Sequence, residues 1–528
     1  MEMESCNYML PLVASCFFFL CTFCHALLAT RRTSNVCSGH RHAPRSHPVL
    51  GCLVEFYRNR RRLLDWYTGL LAASPSQTFV VERLGARRTV VTANPANVEH
   101  ILKGNFGNYP KGKPFTETLG DLLGGGIFNV DGEPWRAQRK LVSHEFTARA
   151  LRERVGPALD AEARARLLPA LDAAADAGGE VAMAFVDVQE LLRQFAFNVI
   201  CRVSLGSAGD DEETPLLPVM SRLASAFDAA AAIVARRGAA PVAAVWKAKR
   251  ALGVGSERRL REEMAVIHGA ITELILRRRR CRARRGGGED DLVSRMAAAG
   301  YGDEVIRDMV ISFIMAGRDT TSSALTWFFW LMTRHRDVEA EVLREITDEH
   351  HDLAGDGEVA GVGLDALRRM RVLHAALCET MRLYPPVAWD SKHAAEGDVL
   401  PDGTVVGPGD RVTYFPYGMG RMEAIWGADA SEFRPWRWLT SPAAAHGGEA
   451  GDGVSAFEFP VFQGGPRTCL GKEMAFLQMK FVASAVLRRF ELRAVEESRE
   501  PVFVPLLTAH MAGGLNVTVR RRTKGGTC

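Results

Sequence analysis

The feature that most constrains this chain is a short loop near its C-terminus, Phe462–Gly471, with the sequence Phe-Gln-Gly-Gly-Pro-Arg-Thr-Cys-Leu-Gly. A helical pattern begins directly after it, at Lys472. A cysteine in front of a helix, such as Cys469, lies near the positive helix end and free N–H donors, which favour the metal-binding thiolate. Gly465 and Gly471 have no Cβ, so they allow the backbone to approach a flat, bulky group.

Two interpretations of this loop remain open when it is considered alone. A lone cysteine is most often a small buried apolar residue, so the loop could be a structural turn. The other interpretation makes Cys469 the axial ligand of a haem iron, with Arg467 placed to meet an anionic group. A phosphate-binding loop is excluded, because Pro466 occupies a glycine position and Lys472 is followed by Glu473 rather than Ser or Thr.

The composition excludes several other classes of protein. The net charge of +4 over 528 residues is too small to indicate a nucleic-acid partner. Of the 11 cysteines, Cys16, Cys21 and Cys24 share one apolar segment, and the others are scattered without CxxC pairs. This pattern is neither a disulfide framework nor a zinc site, and it favours a reducing compartment.

The N-terminus carries a candidate membrane anchor. The segment Ser5–Thr30 contains no Asp, Glu, Lys or Arg, and it exceeds the about 20 apolar residues that cross a bilayer. Because Arg31 and Arg32 follow it, the positive-inside rule places the body of the protein in the cytosol. A cleaved signal peptide is the alternative, but such a peptide begins with basic residues, which are missing here.

We therefore expect a membrane anchor at 1–32, a linker rich in His, Pro, Ser and Arg at 33–50, and one domain at 51–528. The chain is mostly helical from about 134 to 350, and short strand-like runs follow 384. The segment Thr78–Thr92 predicts two strands, and the last helix is expected at 472–489. The predicted fold class is mainly α with small β-sheets (α+β) in a single domain.

A second motif lies inside a long helical pattern, Ile306–Arg334. The segment Ala316–Thr321 reads Ala-Gly-Arg-Asp-Thr-Thr, and Gly and Thr both disfavour a helix interior. Asp319 and Thr320 would make sense if the helix opens a small groove that holds O₂ and water and relays protons. A surface face is the alternative, but the apolar flanks favour burial.

Two further sets of residues have low specificity by themselves. Glu379 and Arg382, three residues apart on a helix, lie on one face, and Arg437 could complete a buried cluster with them. Trp135 and Arg139 also share a helix face, and an indole N–H beside a guanidinium suits a carboxylate such as a haem propionate.

Together these motifs resemble the cytochrome P450 haem-thiolate monooxygenases. The loop Phe462–Gly471 matches the cysteine signature of that family in full, and Ala316–Thr321 matches its oxygen-activation helix. The remaining motifs match its structural triad (Glu379, Arg382, Arg437) and its propionate clamp (Trp135, Arg139). One departure is Trp436, where many members carry Glu, and it affects only local packing.

The resemblance implies haem b with Cys469 as its axial thiolate. It implies that Trp135, Arg139 and Arg467, assisted by Lys392, hold the propionates, and that Asp319 and Thr320 deliver protons. Electrons would come from NADPH through a membrane-bound NADPH–cytochrome P450 reductase. With the anchor, the expected location is the endoplasmic reticulum membrane, single-pass, with the catalytic domain in the cytosol and membrane lipid as a further partner.

Four more segments resemble the plant ω-hydroxylase branch, and most closely the group acting on fatty acids and jasmonoyl-isoleucine: Asn108–Phe115, Gly124–Gly132, Trp389–His393 and Tyr414–Glu423. This implies hydroxylation of the terminal carbon of a lipid-like carboxylate, with 12-hydroxylation of jasmonoyl-isoleucine favoured over fatty acid ω-hydroxylation. Lys111 and Lys113 are candidate cations for the substrate carboxylate. Val387, Ala388 and the 506–511 loop, which includes Leu507, are candidate pocket residues.

Two rival functions remain. A haem isomerase or dehydratase acts without O₂ or a reductase, but relatives of that kind typically lose the Asp-Thr pair, which is intact here. A non-catalytic haem-binding membrane protein would need no proton relay beside the iron.

Overall fold

A 32-residue helix, Asp303–Arg334, runs through the larger of two apolar cores. The computed structural model describes residues 44, 47, 50–82, 87–177, 185–205, 217–240, 243–284, 291–351, 363–440 and 453–522. The predicted anchor at 1–32 and most of the linker at 33–50 lie outside the described residues. Within those residues, no helix combines the length and the apolar character that a membrane span requires.

Helices dominate the described part of the chain. The α-helices are α1 (Leu53–Asn59), α2 (Leu63–Ala73), α3 (Pro95–Glu99), α4 (Gly112–Leu123), α5 (Gly132–Val142), α6 (Ala148–Ala150), α7 (Gly156–Glu162), α8 (Leu168–Ala177), α9 (Val188–Leu205), α10 (Leu217–Ala239), α11 (Ala243–Leu252), α12 (Gly255–Arg284), α13 (Leu292–Ala298), α14 (Asp303–Arg334), α15 (Arg336–His351), α16 (Leu364–Arg369), α17 (Arg371–Leu383), α18 (Pro416–Met419), α19 (Glu423–Trp426) and α20 (Lys472–Arg489). Single π-helical turns at His100–Gly104, Leu151–Val155 and Ala163–Leu167 join several of them.

The strands are short: β1 (Thr78–Val81), β2 (Thr89–Thr92), β3 (Val186–Asp187), β4 (Asp390–His393), β5 (Asp398–Val399), β6 (Val405–Val406), β7 (Arg411–Tyr414), β8 (Phe490–Ala494), β9 (Phe503–Val504), β10 (His510–Met511) and β11 (Asn516–Arg521). The largest sheet has the order β1-β2-β7-β4, in which only β2 and β7 are parallel. The two strands predicted within Thr78–Thr92 are confirmed as the antiparallel pair β1–β2, with Thr78 opposite Thr92.

The buried apolar residues form two cores, one among the helices and one under the four-stranded sheet. The larger core surrounds α14, whose acidic first turn and basic last turn suit the helix dipole. The smaller core lies under the four-stranded sheet and includes Phe79 and Phe415. The predicted helix-dominated fold with small sheets is confirmed, and α20 has the predicted bounds of 472–489.

Candidate active site

A cavity of about 620 Å³ connects the two motifs that the sequence singles out. Cys469 and the loop around it line one part of the cavity, and Ala316, Gly317 and Thr320 of α14 line another. Other parts of the wall come from α4, α5, the C-terminal end of α10, α20, strands β4 and β7, and the 505–508 segment. The wall is mostly apolar, so the cavity suits a hydrophobic guest.

The cysteine loop is held by its own backbone and by its neighbours. The N–H of Cys469 donates to the carbonyl of Phe462 at 2.8 Å. Gly465 has a φ of 63°, and a Cβ there would collide with the carbonyl of Leu102, so this position requires glycine. The side chain of Cys469 is exposed only in the sense that it faces the cavity.

Burial raises the pKa of the Cys469 thiol. The N–H of Gly471 and the charges of Arg139 and Lys472 act in the opposite direction, but more weakly. The helix end and local donors thus favour the thiolate as predicted, but burial outweighs them. Cys469 would become a thiolate on binding a metal ion, since a coordinating thiol is deprotonated.

The predicted clamp residues Trp135, Arg139 and Arg467 all line the cavity. The guanidinium of Arg467 lies 4.4 Å from the centre of the Trp135 ring and donates to Asp131 at 2.5 Å. Arg139 donates to the carbonyl of Thr468 at 2.7 Å, which ties α5 to the cysteine loop. The indole N–H of Trp135 makes no hydrogen bond with any described residue, so it is available to an anionic guest.

A buried polar cluster borders the clamp and centres on Asp390, a residue that sequence reasoning left without a role. One carboxylate oxygen of Asp390 lies 3.1 Å from the ammonium of Lys111, and the other lies 2.8 Å from that of Lys392. Tyr414 and Gln463 also donate to Asp390, at 2.9 and 3.2 Å. Two ammonium groups thus face one carboxylate, and the cluster can balance a further carboxylate.

Burial alone would raise the pKa of Asp390, but the charges of Lys111 and Lys392 outweigh it and hold that pKa far below its usual range. Burial lowers the pKa of Lys392, against the attraction of Asp390. The carboxylate is therefore the firmly charged member of the cluster. Lys111, predicted as a cation for the substrate, instead belongs to this cluster beside Lys392.

Thr320 faces the cavity from α14, and its hydroxyl donates to the carbonyl of Ala316 at 2.6 Å. The predicted opening of the helix at this turn is not present, because α14 is a continuous α-helix. Gly317 is required for a different reason, which is packing. A Cβ on Gly317 would lie 2.7 Å from Cγ1 of Ile200 on α9. Gly317 therefore permits two helices to pack closely beside the cavity.

Asp319 lies behind Thr320 and does not line the cavity. Its Oδ1 has no hydrogen-bond partner among the described residues and lies 3.5 Å from Nε of Arg318. Arg318 donates in turn to Asp228 of α10 at 2.8 Å, and Asp228 also pairs with Arg193 of α9. Burial raises the pKa of Asp319, while Arg318 and Arg193 lower it. This network was not predicted from the sequence, because its residues come from three different helices.

The structure brings Glu379, Arg382 and Arg437 together as a buried cluster. Both carboxylate oxygens of Glu379 lie 2.8 Å from nitrogens of Arg382, and one lies 3.0 Å from Nε of Arg437. The indole N–H of Trp438 donates to the same carboxylate at 2.9 Å. The departure at Trp436 leaves the cluster intact, because that side chain points outward and is 37% exposed.

Ion pairs hold α4 against the helices at the end of α10. Arg237, which is 2% exposed, pairs with Asp121 of α4 at 2.7 Å and with Glu257 of α12. Nearer the surface, Lys247 of α11 pairs with Glu117 of α4 at 2.7 Å. We name these five residues the rim clasp, because α4 and α10 both line the cavity.

The other predicted substrate residues divide into two groups. Val387 and Leu507 lie on the cavity wall. Lys113 does not: its side chain is 85% exposed and faces Glu117 at 4.0 Å. Ala388 is also not a wall residue, because it is buried in the core under the sheet, where its carbonyl accepts from the N–H of Tyr417 at 3.1 Å.

Comparison with known proteins defines the class. The family model described as "Cytochrome P450" matches residues 42–511. The chain therefore belongs to the cytochrome P450 family, and it is a haem-dependent monooxygenase whose iron is held by a thiolate. The resemblance predicted from the four motifs is confirmed.

Within the family, the chain is similar to plant proteins whose names place them in group 94 of the cytochromes P450. It is 55% identical to cytochrome P450 94B1 of Arabidopsis thaliana over 481 residues, which cover 91% of each chain. It is 52% identical to cytochrome P450 94B3 of the same plant, over 94% of this chain and 95% of that one. It is 41% identical to cytochrome P450 94A2 of Vicia sativa, over 99% of both chains.

A solved structure, the cytochrome P450DA heme domain, shares the fold with a TM-score of 0.71 at 21% identity. The match covers 91% of this chain and 97% of that one. This likeness confirms the fold predicted for the body of the chain.

Proposed function

We propose that this chain hydroxylates the terminal (ω) carbon of an amphiphile that carries a carboxylate, and that jasmonoyl-isoleucine, hydroxylated at carbon 12, is its substrate. The observation that carries the proposal is the cavity, in which an apolar wall leads to Cys469 and Thr320. The volume of about 620 Å³ is shared between the haem held beside Cys469 and the substrate. The plant ω-hydroxylase segments support the choice of substrate, and a free fatty acid is the second candidate on the same grounds.

The residues present fit a haem. Cys469 would ligate the iron, and Trp135, Arg139, Arg467 and Lys392 would hold the propionates. The free indole N–H of Trp135 and the excess positive charge around Asp390 are the donors that two carboxylates need. When bound, haem supplies the oxygen chemistry that inserts one oxygen atom into an unactivated C–H bond.

The roles of the chain's own residues follow from their positions. The apolar wall orients the methyl end of the substrate and excludes bulk water. Thr320 is the hydroxyl at the wall that passes a proton into the cavity, and Asp319 behind it replaces that proton. Glu379, Arg382 and Arg437 hold the segment that precedes the cysteine loop.

We also propose how the protein is placed and supplied with electrons. Residues 1–32 anchor it in the endoplasmic reticulum membrane, 33–50 form a linker, and 51–528 form the cytosolic catalytic domain. NADPH–cytochrome P450 reductase supplies electrons on the side of the Cys469 loop. Deleting residues 1–32 should move the protein from the membrane fraction to the soluble fraction; a deletion variant that stays with membranes would contradict the anchor.

The experiment that tests the function is a side-by-side assay of lauric acid and jasmonoyl-isoleucine with reductase and NADPH, followed by product analysis. We expect ω-hydroxylated products and faster turnover of jasmonoyl-isoleucine. If lauric acid is turned over faster, the second candidate replaces the first. If neither compound is hydroxylated, the proposed substrate class is wrong.

Two variants test the site itself. Cys469→Ala should abolish the red-shifted ferrous–CO band of a thiolate haem, and a normal spectrum would refute the ligand assignment. Thr320→Ala should retain haem but divert reducing equivalents to peroxide. Tight coupling of NADPH use to product in that variant would remove Thr320 from the relay.

A further inference from the structure

The cavity wall contains six lysine and arginine side chains: Lys111, Arg139, Arg236, Lys392, Arg411 and Arg467. Most of them already have a counter-charge or an acceptor. Lys111 and Lys392 bind Asp390, Arg139 binds the carbonyl of Thr468, and Arg467 binds Asp131. Arg411 is engaged as well. Among the residues that the structure describes, only Arg236 contributes a wall cation with neither a hydrogen bond nor an ion pair.

Arg236 lies in the last turn of α10, and its side chain is exposed. The next residue, Arg237, is 2% exposed and pairs with Asp121 and Glu257. Arg237 also donates to the carbonyl of Thr118 on α4 at 3.2 Å. The backbone that carries Arg236 is therefore fixed against α4, while its exposed side chain is left without a partner among the described residues.

The wall around Arg236 is apolar, with Val234, Ala235 and Ala239 beside it. A carboxylate placed against this apolar wall is stabilised by a neighbouring cation, because partial loss of water without a partner is costly, and Arg236 offers that cation at the exposed end of the wall. A planar guanidinium is well suited to this, since it can donate two parallel hydrogen bonds to both oxygens. No described acidic residue competes for it.

We propose that Arg236 binds the carboxylate of the amphiphilic substrate. This inference rests on the proposed function and gives it a direction: with its carboxylate held at the end of α10, the substrate extends its methyl end into the rest of the cavity, where Cys469 and Thr320 lie. Arg236 is assigned the role that the sequence predicted for Lys111 and Lys113. Lys111 is instead paired with Asp390, and Lys113 is not on the cavity wall.

The test compares acids with their uncharged esters. Dissociation constants of lauric acid, jasmonoyl-isoleucine and their methyl esters are measured from the absorbance change that each causes in the haem-loaded, full-length protein, without turnover. Arg236→Gln should weaken both acids roughly fivefold and leave both esters unchanged. Arg236→Lys should recover part of the loss. Arg222→Gln, an exposed arginine earlier on the same helix, is the matched control and should change neither.

The outcomes separate this inference from the function on which it rests. If the wild type binds the acids better than the esters and Arg236→Gln keeps that preference, Arg236 is not the carboxylate ligand. An equal loss for acids and esters would also overturn the inference, because it indicates damage to the wall. If the wild type binds neither acid, the proposed function fails, and the inference fails with it.

Discussion

Arg318 and Asp228 join two helices across 90 residues of sequence, with Nη2 of Arg318 2.8 Å from Oδ1 of Asp228. Arg318 directly precedes Asp319, so the pair with Asp228 fixes the position of the positive charge next to the buried carboxylate of Asp319. Asp228 draws Arg318 towards α10, and Arg193 binds the same carboxylate oxygen, Oδ1 of Asp228. The proposed proton relay thus has a neighbouring charge network that reaches the surface, where Asp228 is 41% exposed.

Asp228→Asn should loosen this network. Without Asp228, the remaining charges of Arg318 and Arg193 lower the pKa of Asp319 further, so the proton is held less often. We expect a fall in product formed per NADPH consumed, smaller than the ~10²-fold effect of losing a general acid itself. Unchanged coupling would contradict the prediction, and Glu153→Gln, which breaks only an exposed pair with Arg149, is the control.

Asp390→Asn should leave two buried ammonium groups without their side-chain carboxylate partner. Removing one partner of a buried ion pair typically destabilises a protein by about 3–5 kcal/mol. Lys111→Met in the same chain should recover part of this loss, because it removes the extra positive charge. Urea unfolding of the two variants measures the effect, and equal stability of wild type and Asp390→Asn would refute the role of the cluster.

Gly317→Ala should force α9 and α14 apart, because the new methyl group would lie 2.7 Å from Ile200. Overpacking of this kind costs about 1–3 kcal/mol, and Ile200→Ala should relieve it in the double variant. Gly269→Ala is the control: a Cβ there meets nothing within 4 Å, so the change should be neutral or stabilising. Thermal unfolding distinguishes the three, and a stable Gly317→Ala variant without rescue would refute the packing argument.

Because His374 is buried, we expect the protein to lose stability in acid. His374 stacks on Phe476 with ring centres 4.1 Å apart, and burial, with smaller effects from Lys480 and Lys472, lowers its pKa to about 3. The unfolded chain takes up a proton near pH 6.5 while the folded protein does not, so stability falls as pH drops below that value. From pH 7.5 to 5.5 this one residue costs about 1.4 kcal/mol.

The measurement is urea unfolding at both pH values. His374→Gln should lose less stability on acidification than the wild type, whatever its stability at pH 7.5. His144→Gln, which changes an exposed histidine, should keep the wild-type dependence on pH. An unaltered dependence in His374→Gln would assign the acid sensitivity to other groups.

Local spacing decided which parts of the site were predictable. Glu379 and Arg382 lie three residues apart on one helix face, and their contact follows from the helical period alone. Asp390 and Lys392 lie on one face of strand β4, since side chains alternate along a strand. The two-residue period of a strand is therefore a sequence signal that links Asp390 to Lys392.

Contacts between distant segments carry no such period. Lys111 meets Asp390 across 279 residues, and nothing in either local sequence indicates it. In the sequence, Lys111 therefore resembles a free cation, and only the fold brings a carboxylate to it. Arg236 was overlooked for the same reason, because only the fold shows that it shares a cavity with Cys469.

The rim clasp has a consequence for how the cavity responds to its medium. Its outer pair, Lys247 with Glu117, is 52% and 36% exposed, so dissolved salt screens it. Its inner pair, Arg237 with Glu257, is 2% exposed on both sides and escapes that screening. Rising ionic strength thus weakens the contact of α11 with α4 before it weakens the buried contact of α10 with α12.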